Sequence, residues 1–308
     1  MRVFVAGGTG FIGTALCRSL AGDGHEVTAA SRSADAEALP AGVTAARIDL
    51  TDPDGLPAQL DGHDAAVNLV SLSPLFKPPS GLTHDEVHRR GTERLLAAAE
   101  EAGVDRFVQM SAISADPEAT TAYLRAKGRA EAAVRGSDLE WTILRPSVVF
   151  GDGGEFIRFT RWVSFPPFID RLAWPYASPL PGARVRFQPI WIGDFAPLVA
   201  EVTVGDGHGG ETYELGGPAV FTLAEITRLV HRAEGKPARL VPFPTSLAKL
   251  GLSVAGAVPG FPLGADQGRA LELDNVATDN DVEALGRSLS ELRTLEAYLG
   301  LVEEIPDG

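Results

Sequence analysis

The opening stretch, from Met1 to Gly13, constrains this chain more than any other, because an apolar run meets a cluster of four glycines and then a helical pattern. Val3, Phe4 and Val5 read as a buried parallel strand. Gly7, Gly8, Gly10 and Gly13 let the backbone turn sharply and approach a diphosphate that any Cβ would block. Phe11, Ile12, Ala15, Leu16 and Leu20 continue at helical spacing, so the amides that open this helix face that charge. A glycine-rich surface turn is the competing reading, but so many glycines would weaken an ordinary turn–helix junction without return. The order of strand, turn and helix predicts a dinucleotide site.

Apolar strand candidates then alternate with amphipathic helices: Val3–Ala6, Glu26–Ala30, Ala45–Asp49, Ala65–Val70, Arg106–Met110 and Trp141–Leu144. Helix starts fall near Gly10, Pro53, Thr83 and Glu118, and Gly103 closes the third helix. This alternation predicts an α/β fold, a doubly wound parallel sheet of Rossmann type. The rhythm breaks after Gly151, where aromatics and prolines crowd as far as Gly182. Arg186 to Ile192 reads as a strand, Asp194 starts a short helix, and Tyr213–Leu215 is a further strand candidate. Thr222 to Glu234 reads as an amphipathic helix with Thr222 and Glu225 as a capping box. The expected division is a nucleotide-binding domain over 1–150 to which 185–216 returns, and a smaller C-terminal α/β domain for substrate or partner over 151–184 and 217–308.

Tyr123 and Lys127, four residues apart after the fifth strand, share one helix face. An ammonium beside a phenol favours the phenolate and is expected to draw Tyr123 down from its usual value of about 10. Ser111 stands at the end of the preceding strand. After the second strand, where an acid would select a ribose 2′-hydroxyl, the chain has Ser31, Arg32 and Ser33. A cation flanked by hydroxyls suits a 2′-phosphate, so NADP(H) is expected over NAD(H). A solvated surface arginine is the alternative.

These motifs resemble the short-chain dehydrogenase/reductase superfamily in its extended or atypical branch: the glycine turn, Asp49-Leu50, Gly91-Thr92, Ser111, Tyr123 with Lys127, and Arg145-Pro146-Ser147. Asn68, the run Thr142–Gly151, the run Gln188–Asp194, the run Tyr213–Pro218 and Asp266-Gln267 narrow the likeness to the group related to the 39-kDa accessory subunit of respiratory complex I. The resemblance implies that Thr9, Gly10, Phe11 and Ile12 hold the pyrophosphate, and that Asp49 and Leu50 border the adenine. It places Leu69, Val70 and Ser71 beside the adenosine-side ribose and Pro146 to Val148 beside the nicotinamide. Ser111, Tyr123 and Lys127 become the catalytic set, with Lys127 also on the ribose hydroxyls. Where many extended relatives have a serine pair or triplet after strand five, this chain has Ser111, Ala112, Ile113 and Ser114; where they have Asn, it has His88, read as a helix residue facing cofactor or solvent.

The function expected is an oxidoreductase or epimerase-like enzyme acting on a carbonyl or alcohol, with an apolar or quinone-like molecule as one candidate substrate. The alternative is a non-catalytic nucleotide-binding protein that senses redox state or serves a respiratory complex as accessory or assembly factor. The aromatic segment 156–181 and the weakly charged run 240–265 either line an apolar pocket or form the small domain's core. Leu247–Val258 is a further candidate surface for a membrane or partner.

Charge narrows the partners. Asp and Glu total 41 against 27 Lys plus Arg, giving a net charge of −14, which argues against a nucleic-acid surface. Lysine is confined to Lys77, Lys127, Lys236 and Lys249. That balance resembles cytosolic proteins of salt-accumulating halophilic archaea, although an acidic mesophilic protein with arginine-biased codons would share it. The lone Cys17 cannot form an intrachain disulfide and reads as a packing residue. Met1 runs directly into the first strand and no segment is uninterrupted enough to span a bilayer, so neither a secretory leader nor a membrane span is expected. A cytoplasmic location follows, with peripheral association at the inner face of the membrane as the alternative.

Overall fold

The computed structural model describes residues 1–33, 39–52, 54–164, 178–235, 240–243, 246, 250, 263–270 and 272–301. Seven strands form one parallel sheet: β1 (Arg2–Ala6), β2 (Glu26–Ser31), β3 (Val43–Arg47), β4 (Ala65–Asn68), β5 (Arg106–Met110), β6 (Glu140–Pro146) and the later strand Glu211–Leu215. From one edge their order is β3, β2, β1, β4, β5, β6, then Glu211–Leu215. The order reverses between β1 and β4, and in such sheets ligands bind outside the strand ends at that crevice.

Alternation along β1 explains the two packed faces. Val3 and Val5 join Leu16, Cys17 and Leu20 of helix α1 (Phe11–Gly22) and Phe195, Leu198 and Val202 of the helix Ile192–Val204. Phe4 and Ala6 point the other way, into a second core with Leu60 of α2 (Leu56–Leu60) and Leu95 and Ala99 of α3 (Gly91–Glu101). Cys17 is fully buried in the first core, and burial pushes its thiol up to about 12, so it packs as a small apolar residue. A third cluster of Phe150, Phe156, Ile157, Ile226, Val230 and Leu295 lies off the sheet.

Three local expectations change. Arg186–Ile192 forms two short strands, Arg186–Phe187 and Ile190–Trp191, because Gln188 turns its side chain to the Gly217 carbonyl and Pro189 lacks a ladder donor. The helix expected to be short at Asp194 runs from Ile192 to Val204, and Asp194 is buried, accepting from the Arg293 amide at 2.7 Å. The third crossover helix begins as a π-helix, Asp85–Arg90, before continuing as α3. Just before it, the Thr83 hydroxyl accepts from the Glu86 amide at 3.1 Å. The helix Leu223–Ala233 carries both halves of the capping box.

Residue 53, residues 165–177 and most of 244–262 lie outside the described residues, so the expected helix start at Pro53 and much of the two apolar runs are not described. In the stretch Leu247–Val258 only Leu250 is described, and it is 65% exposed. No described helix is long and apolar enough to cross a membrane.

Candidate functional site

The glycine turn closes on its own backbone. Gly7 takes φ 85°, its amide donates to the Ala30 carbonyl at 2.8 Å, and Gly10 donates back to Gly7 at 3.0 Å. A Cβ on Gly13 would strike the Gly7 carbonyl, so helix and turn meet at a distance only glycine permits. The first helical bond runs from the Thr14 amide to Gly10 at 2.8 Å, and no side chain caps Gly10. The amides of Phe11, Ile12 and Gly13 are therefore left facing outward at the positive end of a helix of 12 residues, an arrangement that fits a diphosphate. Thr9 is half-buried beside them.

Gly7 also abuts the segment after β4, where a Cβ would come within 3.0 Å of the Leu69 carbonyl carbon. Leu69 donates to Ala6 at 2.8 Å, and the Val70 amide donates to Asn68 Oδ1 at 3.2 Å. Asn68 in turn donates to Thr92 Oγ1 and Gln109 Oε1, both at 3.0 Å, and Thr92 donates to the His88 carbonyl at 2.6 Å. The end of β1, the Leu69–Val70 segment and the π-helix are thus joined by one chain of hydrogen bonds.

Arg32 is exposed just past the end of β2. The pairing of Ser31 with Arg47 across β2 and β3 brings a second guanidinium to the same edge. Arg32, Arg47 and Asp49 line one open hollow of about 410 Å³, with Leu56 and Gln59 on its rim. Burial alone would raise Asp49, but bonds from the Thr51 amide at 2.9 Å and hydroxyl at 2.7 Å, with the fields of Arg32 and Arg47, hold it below the usual carboxylate range. Leu50 is buried and Ser33 exposed. Sequence reasoning missed Arg47, which becomes visible as a partner only once the strand register is known.

On the opposite side, Pro146 and Ser147 are buried, and the Val148 amide is already engaged by Asn275 Oδ1 at 2.9 Å. Ser147 donates to the same side chain at 2.8 Å. Asn275, 127 residues from Val148, was not legible as part of this wall.

Tyr123 and Lys127 stand on α4 (Ala122–Arg135), with Lys127 Nζ 5.9 Å from the centre of the phenol ring. Lys127 is buried and donates to the Met110 carbonyl at 2.8 Å. The expected depression of Tyr123 does not occur: burial pushes its hydroxyl up to about 12, outweighing a smaller lowering from the Ser71 side chain. Burial instead draws Lys127 down to about 7, with the Glu131 carboxylate opposing. Ser111 does not join the pair. It donates to Glu131 Oε1 at 2.5 Å, and Glu131 also receives Arg145 at 2.6 Å and Arg135 at 3.0 Å. Glu131 was missed, although it extends the helical spacing of Tyr123 and Lys127 by one more turn.

His88 does not face solvent. It is buried, its ring 5.3 Å from Tyr123 and edge-on to it, while His84 stacks on His88 at 5.5 Å and meets Tyr123 at the same distance. His88 Nε2 accepts from the Leu72 amide at 3.3 Å. The Asp266-Gln267 motif closes this corner. Asp266 accepts from the Ala122 amide at 2.9 Å, and Gln267 donates to the carbonyls of Pro74 and Phe76 at 3.3 and 3.2 Å.

A parallel sheet of this order with a glycine turn at a bare helix start defines a Rossmann-type dinucleotide-binding fold. The chain belongs to the NAD(P)H-binding family, whose sequence model matches residues 7–160, half of its length. It is 28% identical over 298 residues to the mitochondrial NADH dehydrogenase [ubiquinone] 1 alpha subcomplex subunit 9 of Arabidopsis thaliana, covering 90% of this chain and 71% of that protein. It is also 28% identical over 258 residues to the NAD(P)H azoreductase of Xenophilus azovorans, covering 82% and 81%. The fold matches the NADPH-dependent quinone oxidoreductase QOR2 of Escherichia coli, crystallised with NADPH, at a TM-score of 0.72 and 20% identity over 97% of this chain and 98% of that one.

Proposed function

We propose that the protein is an NADP(H)-dependent oxidoreductase acting on a carbonyl or quinone-like oxygen of an apolar substrate, with Tyr123 as the proton donor and acceptor. The observation that carries this reading is the Tyr123–Lys127 pair on α4, with Lys127 Nζ 5.9 Å from the centre of the phenol ring and donating to the Met110 carbonyl at the end of β5. The outward amides of Phe11, Ile12 and Gly13 hold the pyrophosphate, and Arg32 with Arg47 hold the 2′-phosphate. Asp49 and Leu50 border the adenine, and Leu69 and Val70 the adenosine-side ribose; Pro146 and Val148 form the nicotinamide wall. A bound nicotinamide supplies or accepts the hydride.

The chain's own part is proton management. As the substrate carbon gains hydride and the C=O π bond becomes a C–O single bond, the Tyr123 hydroxyl gives its proton to that oxygen; the phenolate then recovers a proton from water. Lys127, near the midpoint of its titration at neutral pH, stabilises that phenolate when charged. The azoreductase and quinone oxidoreductase likenesses favour a flat, conjugated two-electron acceptor.

A second reading rests on the subunit likeness and on the engagement of Ser111 by Glu131. In it the bound nucleotide stabilises a cytoplasmic accessory or assembly protein that associates peripherally with a respiratory complex.

One experiment separates the two. NADPH and NADH binding to the purified protein is followed by fluorescence in high KCl beside Arg32→Ala, then quinones and ketones are screened with Tyr123→Phe as control. Tight NADPH binding weakened in the arginine variant, with turnover lost in the tyrosine variant, supports the enzyme. NADPH binding that raises Tm without any turnover supports the accessory protein. No binding of either nucleotide removes both readings.

A further inference from the structure

Gly151, Gly153 and Gly154 lie far in sequence from the nucleotide-binding turn, yet their backbone closes on the first side chain beyond it. A Cβ on Gly154 would come within 3.1 Å of Phe11 Cζ, and one on Gly151 within 3.4 Å of the same atom. Gly151 is backed on another side by Ile192, which a Cβ there would strike. The Gly154 amide donates to the Gly151 carbonyl at 3.1 Å, closing a turn that can press so near a phenyl ring only because it lacks side chains. Phe11 is the first residue of α1, so the ring seated in this turn belongs to the residue whose amide opens the phosphate-facing helix end.

The C-terminal segment anchors the turn. Asp152 is exposed and accepts from the Tyr298 hydroxyl at 2.8 Å, across 146 residues of chain. The Tyr298 ring packs edge-on against Phe150 at 5.2 Å, so one side chain grips both the turn and the strand Val149–Phe150 that leads into it. Phe150 is fully buried in the third cluster together with Leu295, three residues before Tyr298. The Arg293 guanidinium lies 4.8 Å from the Trp191 ring and 5.8 Å from that of Tyr298, and the Arg293 amide is the one that donates to Asp194. The segment is thereby fixed to the start of the helix Ile192–Val204, the same helix start that backs Gly151.

We propose that Asp152 and Tyr298 are positioning residues of the nucleotide site: their hydrogen bond holds the Gly151–Gly154 turn against Phe11, and Phe11 so held aims the helix-start amides at the diphosphate. The inference rests on the nucleotide binding that both readings above share and extends that site to the C-terminal segment. The ligand chemistry is the diphosphate common to NADH and NADPH, so the pair acts on both nucleotides alike. Neither Asp152 nor Tyr298 has to touch the ligand. Coupling of this kind is reciprocal: a diphosphate that binds better when Phe11 is held also holds the turn and the segment Arg293–Tyr298 more tightly.

The test uses the full-length protein, with NADPH and NADH titrated by fluorescence. Tyr298→Phe keeps the ring and removes the hydroxyl, and is expected to raise both Kd values by the same factor of about five, that of one hydrogen bond. Asp152→Ala should do the same, whereas Asp152→Asn keeps an oxygen that accepts from Tyr298 and should stay within about twofold of wild type. Both Asp152 variants remove the carboxylate charge, so the difference between them isolates the hydrogen bond. Hydrogen exchange gives the reciprocal readout: NADPH should slow exchange in wild-type peptides covering 151–154 and 294–299, and the slowing at 294–299 should disappear in Tyr298→Phe. Unchanged Kd values in Tyr298→Phe overturn the proposal, as does a loss in Asp152→Asn equal to that in Asp152→Ala. Weakening of NADPH alone overturns the assignment to the diphosphate. A wild type that binds neither nucleotide sinks the nucleotide readings and this proposal together, whereas normal binding that ignores Tyr298→Phe sinks this proposal alone, so the two failures are distinguishable.

Discussion

The hydroxyl of Ser111 donates to Oε1 of Glu131 across 20 residues of chain, at 2.5 Å and out of contact with solvent. This bond turns the serine after β5 from a catalytic candidate into part of a buried ionic knot. Glu131 is 1% exposed, whereas its partner Arg145 remains 23% exposed. Glu131→Ala leaves Ser111 without its acceptor and Arg145 with only the Ala115 carbonyl and Glu214, and we expect a loss of about 2–3 kcal/mol, below the range for a fully buried pair because Arg145 retains those partners and solvent. Urea denaturation of the variant beside wild type checks it; a change under about 0.5 kcal/mol would place Glu131 outside the stabilising core.

Lys127 should make stability depend on pH in the alkaline range. Its folded value of about 7 lies below the ordinary 10.5, chiefly through burial. Between those values the unfolded chain holds a proton that the folded chain has released, so this group's contribution rises with pH from about 7 to about 10.5. Below the folded value both states are charged and the burial penalty is constant. Lys127→Met should therefore gain most over wild type at pH 6–7 and lose that advantage steadily up to about pH 10.5, as read by chemical denaturation across that range.

The acid side is governed by His88. Burial first, then the charges of Lys127 and His84, hold its pKa well below the ordinary 6.5, and accepting from the Leu72 amide requires the neutral ring. Tyr123 completes its surroundings, and Asp266 faces His84. A His value depressed by folding gives stability that is complete above pH 6.5 and is lost as pH falls through the folded value. Tm should drop between pH 7 and pH 5, with a shallower slope in His88→Phe, which keeps the ring packing but cannot take a proton.

Arg47 and Arg32 lie across one strand pair at the same hollow. Arg47→Ala should weaken NADPH binding about tenfold, the value of one charge-assisted bond, and change NADH binding less than twofold. Because Arg47 is exposed, folding stability should stay within about 0.5 kcal/mol. Equal losses for both nucleotides in a fluorescence titration would remove Arg47 from the 2′-phosphate site.

The net charge of −14 predicts that Tm rises with KCl. Raising the salt from about 0.1 M to about 1 M shortens the screening length from ~10 Å to ~3 Å and suppresses repulsion among surface carboxylates. A flat or falling Tm would leave the protein merely acidic.

The sequence by itself determined the sheet and the phosphate turn. Both are written in local rules: the alternation of Val3, Phe4 and Val5, the left-handed Gly7, and the glycine at 13 whose Cβ would strike the turn. The Tyr123–Lys127 face was legible for the same reason, since helical spacing alone brings residues four apart together. Tertiary structure decided what those side chains meet. His88 packs against Tyr123 and takes the Leu72 amide, Arg47 comes beside Arg32, and Asn275 occupies the Val148 amide through contacts between separate crossovers. Depth reversed the expected direction for Tyr123: spacing put an ammionium-bearing residue near the phenol, but desolvation in the packed corner raised the phenol and lowered the lysine instead. Periodicity fixes which face a residue shares, whereas hydrogen-bond partners and proton affinities depend on how far the assembled layers exclude water.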